Sequence, residues 1–117
     1  MLDSLFSPTT VAVVGASAKP QKRGNAFLRF FLNSGFGGEL YPISPRYQEV
    51  LGLKCYPALA DVPGSVDYVV CCLPAQSVLP LVEECGRKGT RLLHIYSAGF
   101  SETAIALGKY LRYDGEA

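Results

Sequence analysis

Thr10-Val-Ala-Val-Val-Gly-Ala-Ser-Ala-Lys-Pro-Gln-Lys-Arg-Gly-Asn25 decides how the rest of the 117-residue chain is read. Val11, Ala12, Val13 and Val14 form an apolar run with no polar alternation, as expected of a strand buried on both faces of a parallel sheet. Gly15 breaks the run. Small residues follow (Ala16, Ser17, Ala18), then Lys19, Pro20, Lys22, Arg23 and Gly24, and only then does an apolar helical pattern begin. A strand, a small-residue turn and a helix start in that order aim main-chain N–H groups and a helix dipole at an anion.

The turn departs from two familiar phosphate-binding patterns. Gly15-Ala-Ser-Ala-Lys-Pro20 lacks two glycines of G-x-G-x-x-G, which weakens a standard nicotinamide or flavin site. The G-x-x-x-x-G-K-[ST] loop is also missing, which argues against nucleotide hydrolysis on this segment. What remains is a phosphate-friendly turn with one hydroxyl, Ser17, and nearby cations.

Composition bounds the alternatives. A chain of 117 residues, 49% hydrophobic, suits one domain with one core. A net charge of +1 provides no general field for nucleic acid or an anionic membrane, so any anion site is local. No apolar stretch approaches the roughly 18 residues of a membrane span, and Met1 to Pro8 lacks the pattern of a secretory leader; the expectation is a cytoplasmic protein. Cys55, Cys71, Cys72 and Cys85 show neither a C-x-x-C pair nor a His-bearing metal spacing, three of them lie in apolar surroundings, and they read as buried reduced thiols.

Beyond the opening stretch, Leu2 to Pro8 is a lead-in, and Ala26 to Leu32 gives a helix from about Gly24 to Asn33 whose high apolar content suggests two contact faces. Asn33 to Gly38 closes it. Glu39 to Ile43 is a second strand, placed at an edge or strand end by Pro42. A helical turn over Tyr47 to Leu51, a short third strand Gly52 to Tyr56 and a turn at Pro57 to Ala60 follow. Val66 to Leu73 is a fourth strand, stopped by Pro74. Val78, Leu81, Val82 and Cys85 then mark a helix with Glu83 and Glu84 outward. Arg91 to Tyr96 is a fifth strand, and Ser101 to Leu107 opens a last helix. This alternation predicts an α/β, Rossmann-like parallel sheet of about five strands, order 3-2-1-4-5, with helices on both faces.

In such a sheet ligands lie beyond the strands' carboxyl ends, where the strand order reverses. The residues placed there are Gly15 to Pro20, Ser44 to Arg46, Leu73 to Gln76 and Ser97 to Gly99, none of them a carboxylate. An NAD site usually carries Asp or Glu after the second strand; Ser44 and Arg46 suit a phosphorylated adenosine such as that of CoA or NADP instead. Arg46 is equally readable as a solvated loop cation, and Lys19, Lys22 and Arg23 as a solvated face. His94, the single histidine, sits within a strand and reads as structural. Ser17 and Ser97 lack a neighbouring base, and Cys71 and Cys72 point to opposite faces, so no catalytic set emerges.

Phe6-Ser-Pro-x-x-Val-Ala-Val-Val-Gly-Ala-Ser17, Gly38-x-x-Tyr-Pro-Ile-x-Pro45, Gly52-Leu-Lys-Cys-Tyr-Pro57, Val66-Asp67, Leu73-Pro-Ala75, Val82-Glu-Glu-Cys-Gly86 and Ser97-Ala-Gly-Phe100 together resemble the N-terminal CoA-binding domain of the NDP-forming acyl-CoA synthetases, relatives of the succinyl-CoA synthetase α subunit. The resemblance runs to about Glu102. It implies a Rossmann-like domain holding the nucleotide part of coenzyme A or acyl-CoA, with further synthetase domains or subunits as partners. Carried over, Gly15, Ala16, Ser17, Ala18, Lys19 and Pro20 approach the CoA phosphates and Arg46 lies on the adenosine phosphate side; Lys22 and Ser44 join them from their places beside the two turns. Leu73, Pro74, Ala75, Ser97, Ala98 and Gly99 line the rest. In that family the phosphorylated histidine lies in a later domain and a separate module binds ATP; His94 does not match that motif. The resemblance thus implies a fragment of, or a stand-alone relative of, an ADP- or GDP-forming acid–CoA ligase, not catalytic alone. An NADP-binding oxidoreductase domain, or a CoA-sensing module such as the N-terminal part of a lysine acetyltransferase, are the alternatives.

Overall fold

Val11, Ala12 and Val13 have no solvent exposure, because β1 (Thr10–Val14) lies in the middle of the sheet with side chains packed on both faces. The computed structural model describes residues 8–96 and the backbone of residues 103–106. β1 pairs in parallel with β2 (Glu39–Ile43) on one side and with β5 (Tyr68–Cys71) on the other; β6 (Leu92–Ile95) runs parallel beyond β5. The sheet order β2-β1-β5-β6-β7, with β7 at Thr103–Ala106, reverses direction of growth at β1, which puts a switch point beside its carboxyl end.

Helices cover both faces. α1 (Arg23–Asn33) lays Leu28 against Val13 and Val70, with Phe27 and Phe31 partly buried beside them. α2 (Val78–Arg87) lays Val78, Leu81 and Cys85 against Ala12, Val14, Val69, Cys71, Leu93 and Ile95. Alternation along β1 and β5 sorts the side chains between these two layers, and Cys71 and Cys72 fall into opposite ones as their adjacency requires. Full burial of a side chain such as Leu28 contributes about 1.5–3 kcal/mol. Phe30 and Leu32 of α1 are exposed.

Three local readings are corrected. The turn expected over Tyr47 to Leu51 is the first arm of a hairpin, β3 (Glu49–Val50) pairing antiparallel with β4 (Leu53–Lys54). Leu51 and Gly52 both take positive φ, the two-residue turn whose twist matches such a hairpin. The third strand therefore spends its pairing on β3 and reaches the main sheet only through a bridge from Tyr56 to Ile43, where Tyr56 N–H donates to the Pro42 carbonyl at 2.9 Å. That leaves 2-1-4-5 of the expected order intact, with no full strand outside β2 among the described residues.

The expected last helix is also replaced, by β7 (Thr103–Ala106), antiparallel to β6 with Leu92 opposite Ala106. An open edge of unpaired N–H and C=O groups rewards strand pairing, and the β-branched Thr103 and Ile105 suit it. The lead-in before Pro8 and the Ser97 to Gly99 turn lie outside the described residues. Among those described, no helix is long and apolar enough to cross a membrane.

Candidate functional site

The carboxyl ends of β1, β2 and β5 open onto a cavity of about 920 Å³, within the size range of cofactor sites. Its floor is the turn after β1. Gly15 N–H and Ala16 N–H both donate to the Ile43 carbonyl at 3.0 and 3.1 Å, which ties this turn to the end of β2. Gly15 has φ of 91°, and a Cβ there would lie 2.7 Å from the Cys72 carbonyl oxygen, so the turns after β1 and β5 meet backbone to backbone.

Gly24, in the first turn of α1, is a lining residue absent from the site expected on sequence. A Cβ on it would collide with the Gly15 carbonyl oxygen, so α1 rests directly on the turn. This is the close helix–strand packing that the last glycine of a G-x-G-x-x-G pattern secures, supplied here after a longer turn. α1 carries no acidic residue in its first turn and no side-chain cap, which leaves its N-terminal dipole uncompensated.

Side chains then hold the turn in shape. Lys19 N–H donates to Ser17 Oγ at 3.0 Å, and Lys22 N–H to the Lys19 carbonyl at 3.0 Å. Asn25, buried at 2% exposure, donates from Nδ2 to the Ser17 carbonyl at 3.0 Å. Arg29 Nε donates to Asn25 Oδ1 at 2.6 Å while its terminal nitrogen reaches the Pro20 carbonyl at 2.9 Å.

After β2, Ser44 is buried, and its Oγ accepts from Arg46 N–H at 3.2 Å, which turns the chain so that Arg46 and Tyr47 line the cavity. Hydrogen bonds from Ser17 and from the Ala18 main chain hold the Tyr47 phenol below its ordinary pKa, with the Lys19 and Arg46 charges adding to them. Tyr47 thereby bridges the first two turns. On the β5 side Cys72, Leu73 and Pro74 form the wall, continued by Ser77, Leu81 and Glu84 of the following helical segment. Burial pushes the Cys72 thiol up to about 12, with Cys71 adding to it and Arg23 opposing, so it is no nucleophile at neutral pH.

The structure brings Gly15, Ala16, Ser17, Lys19, Lys22, Ser44, Arg46, Leu73 and Pro74 around one space. Ala18, Pro20 and Ala75 are exposed and do not line it. Ser97, Ala98 and Gly99 lie outside the described residues. Arg23, Tyr47, Leu59, Tyr96 and Glu84 also line the cavity. Glu84 corrects the reading of an outward carboxylate: its Oε2 accepts from Ala60 N–H at 3.0 Å across the cavity's far wall. No local pattern marks these residues, apart from Arg23, whose place beside the turn was legible. His94 stays out of the cavity; its Nδ1 lies 2.9 Å from the Tyr68 hydroxyl and its ring is 4.5 Å from that of Tyr96.

Four cations, Lys19, Lys22, Arg23 and Arg46, thus face a space floored by glycine backbone and a helix N-terminus. That donor set fits phosphate oxygens, with the Arg46 fork suited to a terminal phosphate and the main chain to a bridging one. Glu84 is the carboxylate among the described lining residues, and its Oε2 is engaged by the Ala60 N–H.

Comparison with known proteins agrees with this chemistry. The family described as CoA binding domain matches residues 9–113. The chain is 40% identical over 111 residues to acetate–CoA ligase [ADP-forming] I of Archaeoglobus fulgidus, a match covering 95% of this chain and 16% of that protein. It is similar to the solved dinucleotide-forming acetyl-coenzyme A synthetase 1 of Candidatus Korarchaeum cryptofilum in complex with phosphate and ADP, at 46% identity and a TM-score of 0.71, covering 78% of this chain and 20% of that one. A conserved hypothetical protein from Pyrococcus furiosus shares the fold at 32% identity and a TM-score of 0.69, covering 92% of this chain and 84% of that one. The chain therefore spans about a sixth of the length of the Archaeoglobus ligase it matches.

Proposed function

The chain belongs to the CoA binding domain family, and from that premise we propose that the cavity at the ends of β1, β2 and β5 receives the phosphorylated adenosine part of coenzyme A. The supporting observation is the convergence of Lys19, Lys22, Arg23 and Arg46 on a space whose floor is the Gly15–Gly24 backbone contact. Main-chain N–H groups of the turn and the α1 N-terminus face the pyrophosphate, and Arg46 takes the ribose phosphate. Leu73 and Pro74 wall the site. CoA, once bound, supplies the thiol on which an acyl group is carried.

The parent activity we infer is acyl-CoA and carboxylate interconversion coupled to ADP and ATP, by an acid–CoA ligase in which other domains or subunits hold the nucleotide and the phosphorylated histidine. The chain's part in it is to bind and orient the carrier. Calorimetry with CoA, 3′-dephospho-CoA, NADPH and NADH tests the reading. CoA binding with weaker dephospho-CoA binding supports it; a preference for NADPH transfers the site to an oxidoreductase domain; binding of none leaves an interaction module that kept the fold.

A further inference from the structure

Arg29 is a cation beside an anion site, yet it does not line the cavity. Both of its observed hydrogen bonds go to groups that hold the turn after β1: to Asn25 Oδ1 at 2.6 Å and to the Pro20 carbonyl at 2.9 Å. Asn25 passes the constraint on, since its Nδ2 donates to the Ser17 carbonyl at 3.0 Å. An isolated buried amide is costly, so an Asn at 2% exposure with both ends satisfied is held in one orientation.

The consequence follows from peptide geometry. Every peptide bond described is trans, so the C=O of one residue and the N–H of the next point in opposite directions. With the Ser17 carbonyl drawn onto α1, the Ala18 N–H is turned to the other side, where Tyr47 lies. With the Pro20 carbonyl drawn onto Arg29, the Gln21 N–H is turned away from α1, and it has no acceptor among the described residues. The cation thus acts on the turn's carbonyls and, through them, on the direction of its donors.

We infer that Asn25 and Arg29 form a brace that presets the turn Ser17 to Gln21 for its phosphate ligand, with Arg29 a positioning residue that does not touch the phosphate. The functional side of this inference rests on the CoA-binding reading; the structural side does not. A guanidinium fork is required, because one ammonium cannot serve Asn25 and Pro20 in the same geometry.

The test compares Arg29→Ala and Arg29→Lys with the parent chain in two measurements. Arg29 is exposed and mid-helix, where alanine is well tolerated, so both variants keep the fold; unchanged thermal midpoints verify this. Hydrogen–deuterium exchange without ligand reads the brace itself: the hydrogen-bonded amides of Ala18, Lys19 and Lys22 exchange about tenfold faster in both variants, while those of β5 are unaltered. Titration then reads the ligand: CoA and 3′-dephospho-CoA both weaken, by the same factor of about ten, so that the preference between them is preserved. Unchanged exchange overturns the brace, whether or not CoA binds. Restoration of the parent behaviour by lysine also overturns it, since charge without the fork would then suffice. If the parent chain binds neither ligand, the CoA reading fails and the exchange result alone decides the brace.

Discussion

Gly24 touches Gly15 through backbone alone: the first turn of α1 rests on the Gly15 carbonyl with no room for a Cβ between them. Gly24→Ala sets two effects against each other. Helix propensity favours alanine by about 1 kcal/mol. The clash with a backbone atom that cannot rotate away forces α1 off the turn, and overpacking of this kind costs about 1–3 kcal/mol or more. We expect the clash to win, with a lower urea midpoint and weakened CoA binding. A more stable variant that binds normally would show that α1 does not need this contact.

Arg46 is exposed and held at the cavity by its own N–H bond to Ser44 Oγ. Arg46→Ala is expected to lower CoA affinity by about 1.5–3 kcal/mol, the range of a charge-assisted hydrogen bond, and to leave dephospho-CoA affinity nearly unchanged. Calorimetry with both ligands measures it. Equal weakening of the two places Arg46 on some other phosphate.

Asp67 links strand starts that lie far apart in sequence. Burial disfavours its charge, yet hydrogen bonds from Thr9 N–H and Oγ1, at 2.9 and 3.0 Å, together with the Arg91 charge, hold its pKa below 3.8. A carboxylate depressed in the folded state stabilises fully above its unfolded pKa, and that contribution is lost as pH falls through the folded value. Urea midpoints should therefore drop on acidification below about pH 4, and Asp67→Asn should flatten that part of the curve. An unaltered acid limb in the variant removes Asp67 from the account.

The four cysteines should be unreactive in the native chain. Burial raises Cys55 and Cys71 above the ordinary thiol range and pushes Cys72 and Cys85 up to about 12. Thiolate is the reacting species, so a disulfide reagent at pH 8 should modify the folded protein slowly and the urea-unfolded protein at once. Rapid labelling of Cys72 in the native state, traced by mass spectrometry, contradicts the packing described for it.

Residues that act on their near neighbours were readable along the chain. An apolar run such as Val11 to Val14 reports burial on two faces, Gly15 reports a turn, and Val78, Leu81 and Cys85 report a helix face, because these periodicities are set by local backbone geometry. The resemblance to CoA-binding domains rested on the same ordered blocks, and the family match over residues 9–113 bears it out.

The rest depended on partners distant in sequence. Thr103–Ala106 became a strand because β6 offered it an open edge, and Glu49–Val50 because a tight turn folded Leu53–Lys54 back on it. Gly24 matters for what lies beneath it, Glu84 for the Ala60 amide across from it, and Arg29 for carbonyls that the turn happens to present. The amino-acid order alone determined which segments form the parallel strands of the main sheet and the helices that cover them, and where its loops gather, since burial period and turn chemistry are local. Tertiary structure alone decided which side chains share the cavity and which cation braces it, because hydrogen-bond direction and backbone approach exist only once separate segments meet.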